Sequence, residues 1–290
     1  MQLNHKIYNI SPIMPIFALQ YLSKMTNISH IHTQTEQLIR KVGDFICAES
    51  AHFSSDKIEY KGKNNLVSYV DKTAEKMLVT GCSDILPNCG FINEETGEHK
   101  GTNDFVWIID PLDGTTNFTH GLPVYAISVA LQQKEETILG FVYYMSMNEM
   151  FSAIKGQGAF LNGKQIFVSE RNNIGDSLIA TGFPYMDFAW MDEYIETLKA
   201  FLRASQGMRR MGSAAIDLAY VACGRFEGFW ENKLSAWDVA AGVLLVEEAG
   251  GKVTDFLGGN NYLFGKQIIA SNRKIHAEMR KIIMKQFVEK

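Results

Sequence analysis

Glu94 with Glu95, Asp110 with Asp113, and Asp238 are the residues whose type and placement point to chemistry. The glutamates follow the short apolar run Gly90-Phe91-Ile92, and the first aspartates end the apolar part of FVWIIDPLDGTTNF. A bare charge at the end of a core strand is costly unless something pairs with it. Asp238 stands in SAWDVAAG, at the start of an apolar helix. Each cluster has an ordinary explanation by itself. Adjacent loop acids are usually solvated, and Asp, Pro and Gly are turn residues. An acid in the first helical turn is favoured by roughly 0.3–1 kcal/mol.

Taken together, the clusters weigh more than apart, because each one follows or opens a core element. Hard Mg²⁺ wants oxygen ligands in octahedral geometry. Two ions about 3.5–4 Å apart clamp the attacking and leaving oxygens of a phosphoryl transfer. No Cys/His set competes for a softer metal. Pro111 stiffens the backbone between Asp110 and Asp113, while Gly114, Thr115 and Thr116 offer consecutive backbone N–H groups to an anion. One loop therefore offers cation ligands and anion donors side by side, which suits a metal-bridged phosphate.

The elements that must position these residues are legible in outline. Apolar residues at helical spacing (Leu38, Ile39, Val42, Phe45, Ile46) predict a helix from Thr33 to about Phe53. SSDKIEYKGKNN reads as a polar loop, LVSYV as a short strand, and DKTAEKMLVTGCSDIL as a helix capped by Asp71. YAISVALQQ, TILGFVYYM and EMFSAIK read as strands, and Asn162-Gly163 as a hairpin turn. Beyond Val168 the chain alternates. SLIATG, FEGFWE and IIAS are strands; 188–204, 213–223, WDVAAGVLLVEEA and 273–288 are helices. The texture changes near 168, from mostly antiparallel β to alternating α and β. Three parts are expected: an N-terminal extension over 1–30, an α+β half with metal-binding loops over 31–168, and an α/β half over 169–290 completing the site.

The chain has 290 residues, 46% apolar and 21% charged, with net charge −4. That is enough chain for a substantial core. Arg209-Arg210 is the strongest basic cluster, which argues against a nucleic-acid partner. Apolar runs fall short of the ~20 residues of a membrane span, so no membrane partner is expected. Cys47, Cys82, Cys89 and Cys223 form no C-x-x-C pair and read as reduced core thiols of a cytoplasmic protein. Residues 1–24 carry no secretory pattern and read as dispensable; His30 and His32, just beyond, read as solvated.

WIIDPLDGTTNF, with NEET before it and AWDVAAG after it, resembles the inositol monophosphatase family in its bacterial members. The resemblance runs over nearly all of 33–290 and includes MGSAAIDLAYVACGRFEGFWE and EEAGGKVTD. It implies a Mg²⁺-dependent, lithium-sensitive phosphatase. The implied fold is the layered αβαβα sandwich of inositol monophosphatases and fructose-1,6-bisphosphatases, usually a homodimer. By motif position, Glu94, Asp110 and the Leu112 carbonyl would hold one ion, and Asp110, Asp113 and Asp238 a second. A weaker third would lean on Glu94. Thr115, oriented by Asp71, would position the attacking water together with Glu94. The Gly114 and Thr115 amides would receive the phosphate. Glu231 falls where the family binds a substrate hydroxyl, and Gly212, Ser213 and Ala214 where it lines the inositol pocket. Asn65 and Ser68 depart from a frequent Asp-Leu-Val-Thr, and Asn93 from a frequent Gly.

The resemblance makes inositol 1-phosphate the leading substrate. Fructose 1,6-bisphosphate and the 2′-phosphate of NADP are the alternatives on the same scaffold. A 3′-nucleotidase is disfavoured, because Thr116-Asn117-Phe118 stands where that branch tends to show Lys-Glu-Phe. A partner-binding regulatory protein on a phosphatase scaffold is the competing reading of another class.

Overall fold

The computed structural model describes residues 16–53, 58–62, 65–183 and 188–287, with side chains for 28–53, 68–183 and 188–287. Helix α1 (Ile16–Ser50) comes first, followed by the hairpin β1 (Ile58–Gly62) and β2 (Asn65–Ser68). Next are α2 (Tyr69–Ile85), β3 (Gly90–Asn93), β4 (Gly97–His99), β5 (Phe105–Asp113) and the short α3 (Thr115–Thr119). Strands β6 (Ala126–Gln133), β7 (Glu136–Tyr144), β8 (Glu149–Ile154), β9 (Ala159–Leu161) and β10 (Lys164–Ile166) complete a sheet in the order β10-β9-β8-β7-β6-β5-β3-β4. Then come β11 (Leu178–Thr181), α4 (Met191–Ala204), β12 (Gly207–Arg209), α5 (Ala214–Ala222) and β13 (Gly228–Asn232). The chain continues through α6 (Ala236–Glu248), β14 (Lys252–Thr254), β15 (Gln267–Ser271) and α7 (His276–Phe287). The second sheet runs β12-β11-β13-β15-β14.

The layering follows from the period-2 alternation of strand side chains. On β5, Trp107 and Ile109 join a buried cluster with Ile39, Val42 and Leu78 of α1 and α2. Ile108, between them, joins Leu218 and Leu244 of α5 and α6 on the other face. On β7, Leu139, Phe141 and Tyr143 face the first pair of helices, while Val142 and Tyr144 face the second. The second sheet repeats the pattern: Phe229 and Ala270 face α5 and α6, and Trp230 and Ile269 pack with Tyr194, Phe201, Met279 and Ile283 of α4 and α7. The result is helices, sheet, helices, sheet, helices: the αβαβα sandwich. Gly140 permits a close approach of β7 to α6, because a Cβ there would lie 2.8 Å from the Ala241 carbonyl.

Several local expectations are corrected. Helix α1 starts well before Thr33, and His32 lies against Phe141, ring centroids 4.8 Å apart, rather than in solvent. Burial lowers its pKa, although Glu36 opposes the shift. His30 is exposed. The polar stretch before residue 63 holds a strand, β1, because β2 offers it an antiparallel partner over Ile58–Gly62. The strand LVSYV stops at Ser68, since Tyr69 and Val70 already belong to α2. Ser68, not Asp71, is the N-cap; Asp71 is the third helical residue and completes a capping box. Of the cysteines, Cys82 and Cys89 are buried, but Cys47 is exposed on α1 and Cys223 is half-buried. Calls on residues 1–15 and on the Ser54–Lys57 part of the loop fall outside the described residues.

Candidate active site

Strand β5 is the site's main support. Its pairing with β6 slips by one residue between Asp110 and Asp113, a bulge where Pro111 need not donate a ladder hydrogen bond. The Leu112 N–H donates to Asp110 Oδ1 at 2.9 Å, which fixes that carboxyl beside the bulge. The chain then turns through Gly114 with φ 97°, and a Cβ there would lie 2.8 Å from the Val124 carbonyl. Only glycine combines that φ with that approach at low cost.

Other elements bring the remaining residues to the same place. The turn after β3 brings Glu94, the parallel neighbour of β5. Asp238 enters from the first turn of α6, where its Oδ2 accepts the Ser235 N–H at 2.6 Å. Asp113 Oδ2 accepts both the Ser213 hydroxyl and the Ala215 N–H, each at 2.7 Å, at the start of α5. Glu231 comes from β13 and is 6% exposed. Its carboxyl sits over Gly182, where a Cβ would lie 2.0 Å from Oε1. Glu94, Asp110, Leu112, Asp113, Gly114, Thr115, Gly212, Ser213, Ala214, Glu231 and Asp238 all line one cavity of about 440 Å³. Asp71 stands behind that wall. Thr115 Oγ1 lies 3.1 Å from Asp71 Oδ1 and 3.0 Å from the Leu112 carbonyl. Asp71 Oδ2 also accepts the Ser68 N–H at 2.9 Å.

The electrostatics are those of an acid nest short of positive charge. Burial, then Asp238 and Glu95, push the Glu94 carboxyl upward. Burial, then Glu94, Asp113 and Asp238, push Asp110 well above the carboxylate range. A hydrogen bond between the two carboxyls lowers Glu94 and raises Asp110 further. Burial raises Asp238 to about 7, with Asp113 adding to the shift. Burial raises Asp113 to about 6, held back by the Ser213 and Ala215 donors and by Arg210. Burial raises Asp71 too. Among the described residues no three acid, His or Cys side chains are already closed around one point. The acids line the cavity instead. They are oxygen-only donors, mutually repelling and anchored by backbone and hydroxyl donors, which is the donor set a hard divalent cation fits.

The cavity also holds residues that the sequence reading did not single out. Asp217 of α5 is 1% exposed, and its Oδ1 has no hydrogen-bond partner. Burial, then Glu231 and Asp113, raise its pKa strongly, with Arg210 opposing. The Arg210 guanidinium lies 5.6 Å from the centre of the Phe183 ring, and both line the cavity. A buried acid inside the apolar run SAAIDLAY was the available signal for Asp217. Nothing in sequence alone marks Phe183.

A layered αβαβα sandwich with an acid-lined cavity at the strand ends defines the class. The pattern of the inositol monophosphatase family matches residues 27–288, and the chain belongs to that family. It is 40% identical over 255 residues to an inositol-1-monophosphatase of Rhizobium meliloti, covering 88% of this chain and 96% of that protein. It is 44% identical over 245 residues to a putative Nus factor SuhB of Neisseria meningitidis serogroup B, covering 84% and 94% respectively. The crystal structure of the extragenic suppressor protein suhB from Bartonella henselae superposes with TM-score 0.84 at 39% identity, covering 88% of this chain and 98% of that one. Among the described residues, no helix is long and apolar enough to cross a membrane.

Proposed function

We propose that this protein hydrolyses a small phosphomonoester with two to three Mg²⁺ ions, inositol 1-phosphate being the leading substrate. The observation that carries this reading is the gathering of Glu94, Asp110, Asp113 and Asp238 from three separate elements onto one cavity. Glu94, Asp110, the Leu112 carbonyl, Asp113 and Asp238 would hold the ions. Mg²⁺ in such a site supplies positive charge to the phosphoryl oxygens and acidifies water.

The chain's own groups do the rest. Thr115 Oγ1, fixed beside Asp71 Oδ1, orients the attacking water with Glu94, whose carboxyl takes up a proton. The Gly114 and Thr115 N–H groups bind phosphate oxygens and stabilise charge developing on them. Water adds to phosphorus in line as the bond to the alcohol oxygen breaks, the leaving oxygen takes up a proton from solvent water, and no covalent enzyme intermediate forms. Glu231 accepts a hydrogen bond from a substrate hydroxyl beside Gly212, Ser213 and Ala214. Such a buried acceptor discriminates strongly against analogues lacking the hydroxyl. Fructose 1,6-bisphosphate and the 2′-phosphate of NADP remain the alternatives. Family kinship carries lithium sensitivity, a homodimer and a cytoplasmic setting with this reading.

A substrate panel assayed with Mg²⁺, with and without lithium, tests it. Hydrolysis of inositol 1-phosphate that needs Mg²⁺ and falls with lithium is expected; metal-independent turnover, or none, would overturn it.

A second reading draws on the relatives named Nus factor SuhB: a transcription-associated partner-binding role beside catalysis. It would also revise the expectation of no nucleic-acid partner. Pull-down with and without residues 1–24, and with and without RNA, distinguishes the two.

A further inference from the structure

Glu75 has no part in the reading above, yet its side chain touches the turn that carries Glu94. It lies on α2 four residues beyond Asp71, so both carboxyls project from one helix face. It is 1% exposed, with both oxygens engaged. Oε2 accepts the Glu95 N–H at 2.8 Å, and Oε1 accepts the Thr96 N–H at 2.9 Å. Such bonds to a carboxylate are roughly twice as strong as neutral ones. On the other side, the Glu94 N–H donates to the Ile109 carbonyl at 3.3 Å, and Asn93 Nδ2 donates to Thr96 Oγ1 at 3.1 Å. The turn is thereby clamped between α2 and β5, with Glu94 between the two anchors.

One helix face thus governs both loops. Asp71 holds Thr115, and Glu75 holds the turn of Glu94. Burying a carboxylate only to tie down a surface turn is a costly choice when a neutral side chain would serve. It is economical if the turn must be placed to a fraction of an ångström, as a metal-binding turn must.

We propose that Glu75 is a positioning residue: it fixes Glu94 relative to Thr115 and so sets how tightly the site takes Mg²⁺. This rests on the metal-dependent reading given above. Outer partners that orient ligating groups alter metal affinity by about 10- to 100-fold when replaced.

The test is Glu75→Gln, which keeps the shape. Its amide oxygen accepts one of the two N–H groups, and its NH₂ opposes the other. Mg²⁺ binding is measured calorimetrically without substrate, beside the Mg²⁺ dependence of turnover and the melting temperature. The expected result is a Kd for Mg²⁺ raised by about 10-fold or more, a half-saturating Mg²⁺ that rises in step, and kcat largely recovered at saturating Mg²⁺. A Glu75→Gln isotherm that matches wild type, with only the melting temperature lowered, overturns the proposal while leaving the metal reading intact. A wild type that binds no Mg²⁺ takes both down. If Glu75→Gln does not fold, Glu75→Asp keeps the charge but cannot span both amides, and the same shift is expected. Failure of both to fold makes Glu75 purely structural and overturns the proposal.

Discussion

The Ser213 hydroxyl donates to Asp113 Oδ2 at 2.7 Å, joining residues 100 positions apart in the chain. Ser213 is also the N-cap of α5, its oxygen accepting the Ile216 N–H at 3.3 Å. A single hydroxyl therefore starts a central helix and fixes one carboxyl of the site. Ser213→Ala should cost about 1 kcal/mol in stability through the lost cap. It should also weaken apparent Mg²⁺ affinity by about 10-fold by freeing Asp113. Denaturant melts beside a Mg²⁺ titration of turnover separate the two effects. Lost stability with unchanged Mg²⁺ dependence would show that the hydroxyl serves only the helix.

Asp113→Asn should lower turnover by orders of magnitude while the fold survives. The side chain is held by donors that an amide oxygen still satisfies, but its charge is gone. Circular dichroism and kcat measured on the same preparation check this. Near-normal hydrolysis would remove Asp113 from the ligand set.

Gly182→Ala should act first on Glu231, whose carboxyl supplies the three atoms nearest to the added Cβ. An added Cβ would lie 2.0 Å from Glu231 Oε1, so the carboxyl must move. The expected outcome is a larger loss of kcat/KM for inositol 1-phosphate than for a small aryl phosphate. Glu231→Gln should show the same ordering, since the hydroxyl acceptor is weakened in both. Equal losses on the two substrates would place Glu231 away from the substrate hydroxyl.

His276 offers a pH test remote from the cavity. It is 3% exposed, its Nε2 lies 2.9 Å from Thr254 Oγ1, and its Nδ1 lies 2.8 Å from Ser271 Oγ. Burial, then Lys252 and Arg280, push its pKa down to about 4. The folded state thus binds this proton less readily than the unfolded chain does. Its contribution to stability is present above pH 6.5 and is lost as pH falls toward 4, with a slope approaching about 1.4 kcal/mol per pH unit. His276→Gln should flatten that slope relative to wild type, read from urea midpoints across the range. Parallel curves for the two proteins would show that His276 does not titrate on unfolding. Comparing the two proteins cancels the opposite contribution of acids with raised pKa values.

Much of this was legible in the sequence where local pattern and tertiary role coincide. The apolar run into Asp110, the strand-like runs of β6 and β7, and the helix over 213–223 can each be read from their own residues. The acids stood out because each closes or opens such an element. What escaped was set by contacts that the pattern of each segment does not reveal. Strand β1 looked like a polar loop, since only pairing with β2 makes its backbone extend. Asp71 looked like a cap, although the residue three before it takes that role and frees it for Thr115. Glu75 carries no signal of its own in the sequence; its role appears only where the turn at Glu95 and Thr96 closes over it. Arg210 and Asp217 are seen to line one cavity only once the chain has folded.

Helices α5 and α6 have a consequence for the protein as an object to be divided. Their side chains fill one cluster with both sheets, Ile108 and Val142 on one side, Phe229 and Ala270 on the other. Cut between the sheets, the chain leaves the first sheet without the helices that cover its inner face, and leaves α5 and α6 without the sheet that covers their other side. Each fragment would expose a broad greasy surface and lack half of the acids. Complementation by co-expressed fragments should therefore depend on their assembling, with neither piece competent alone.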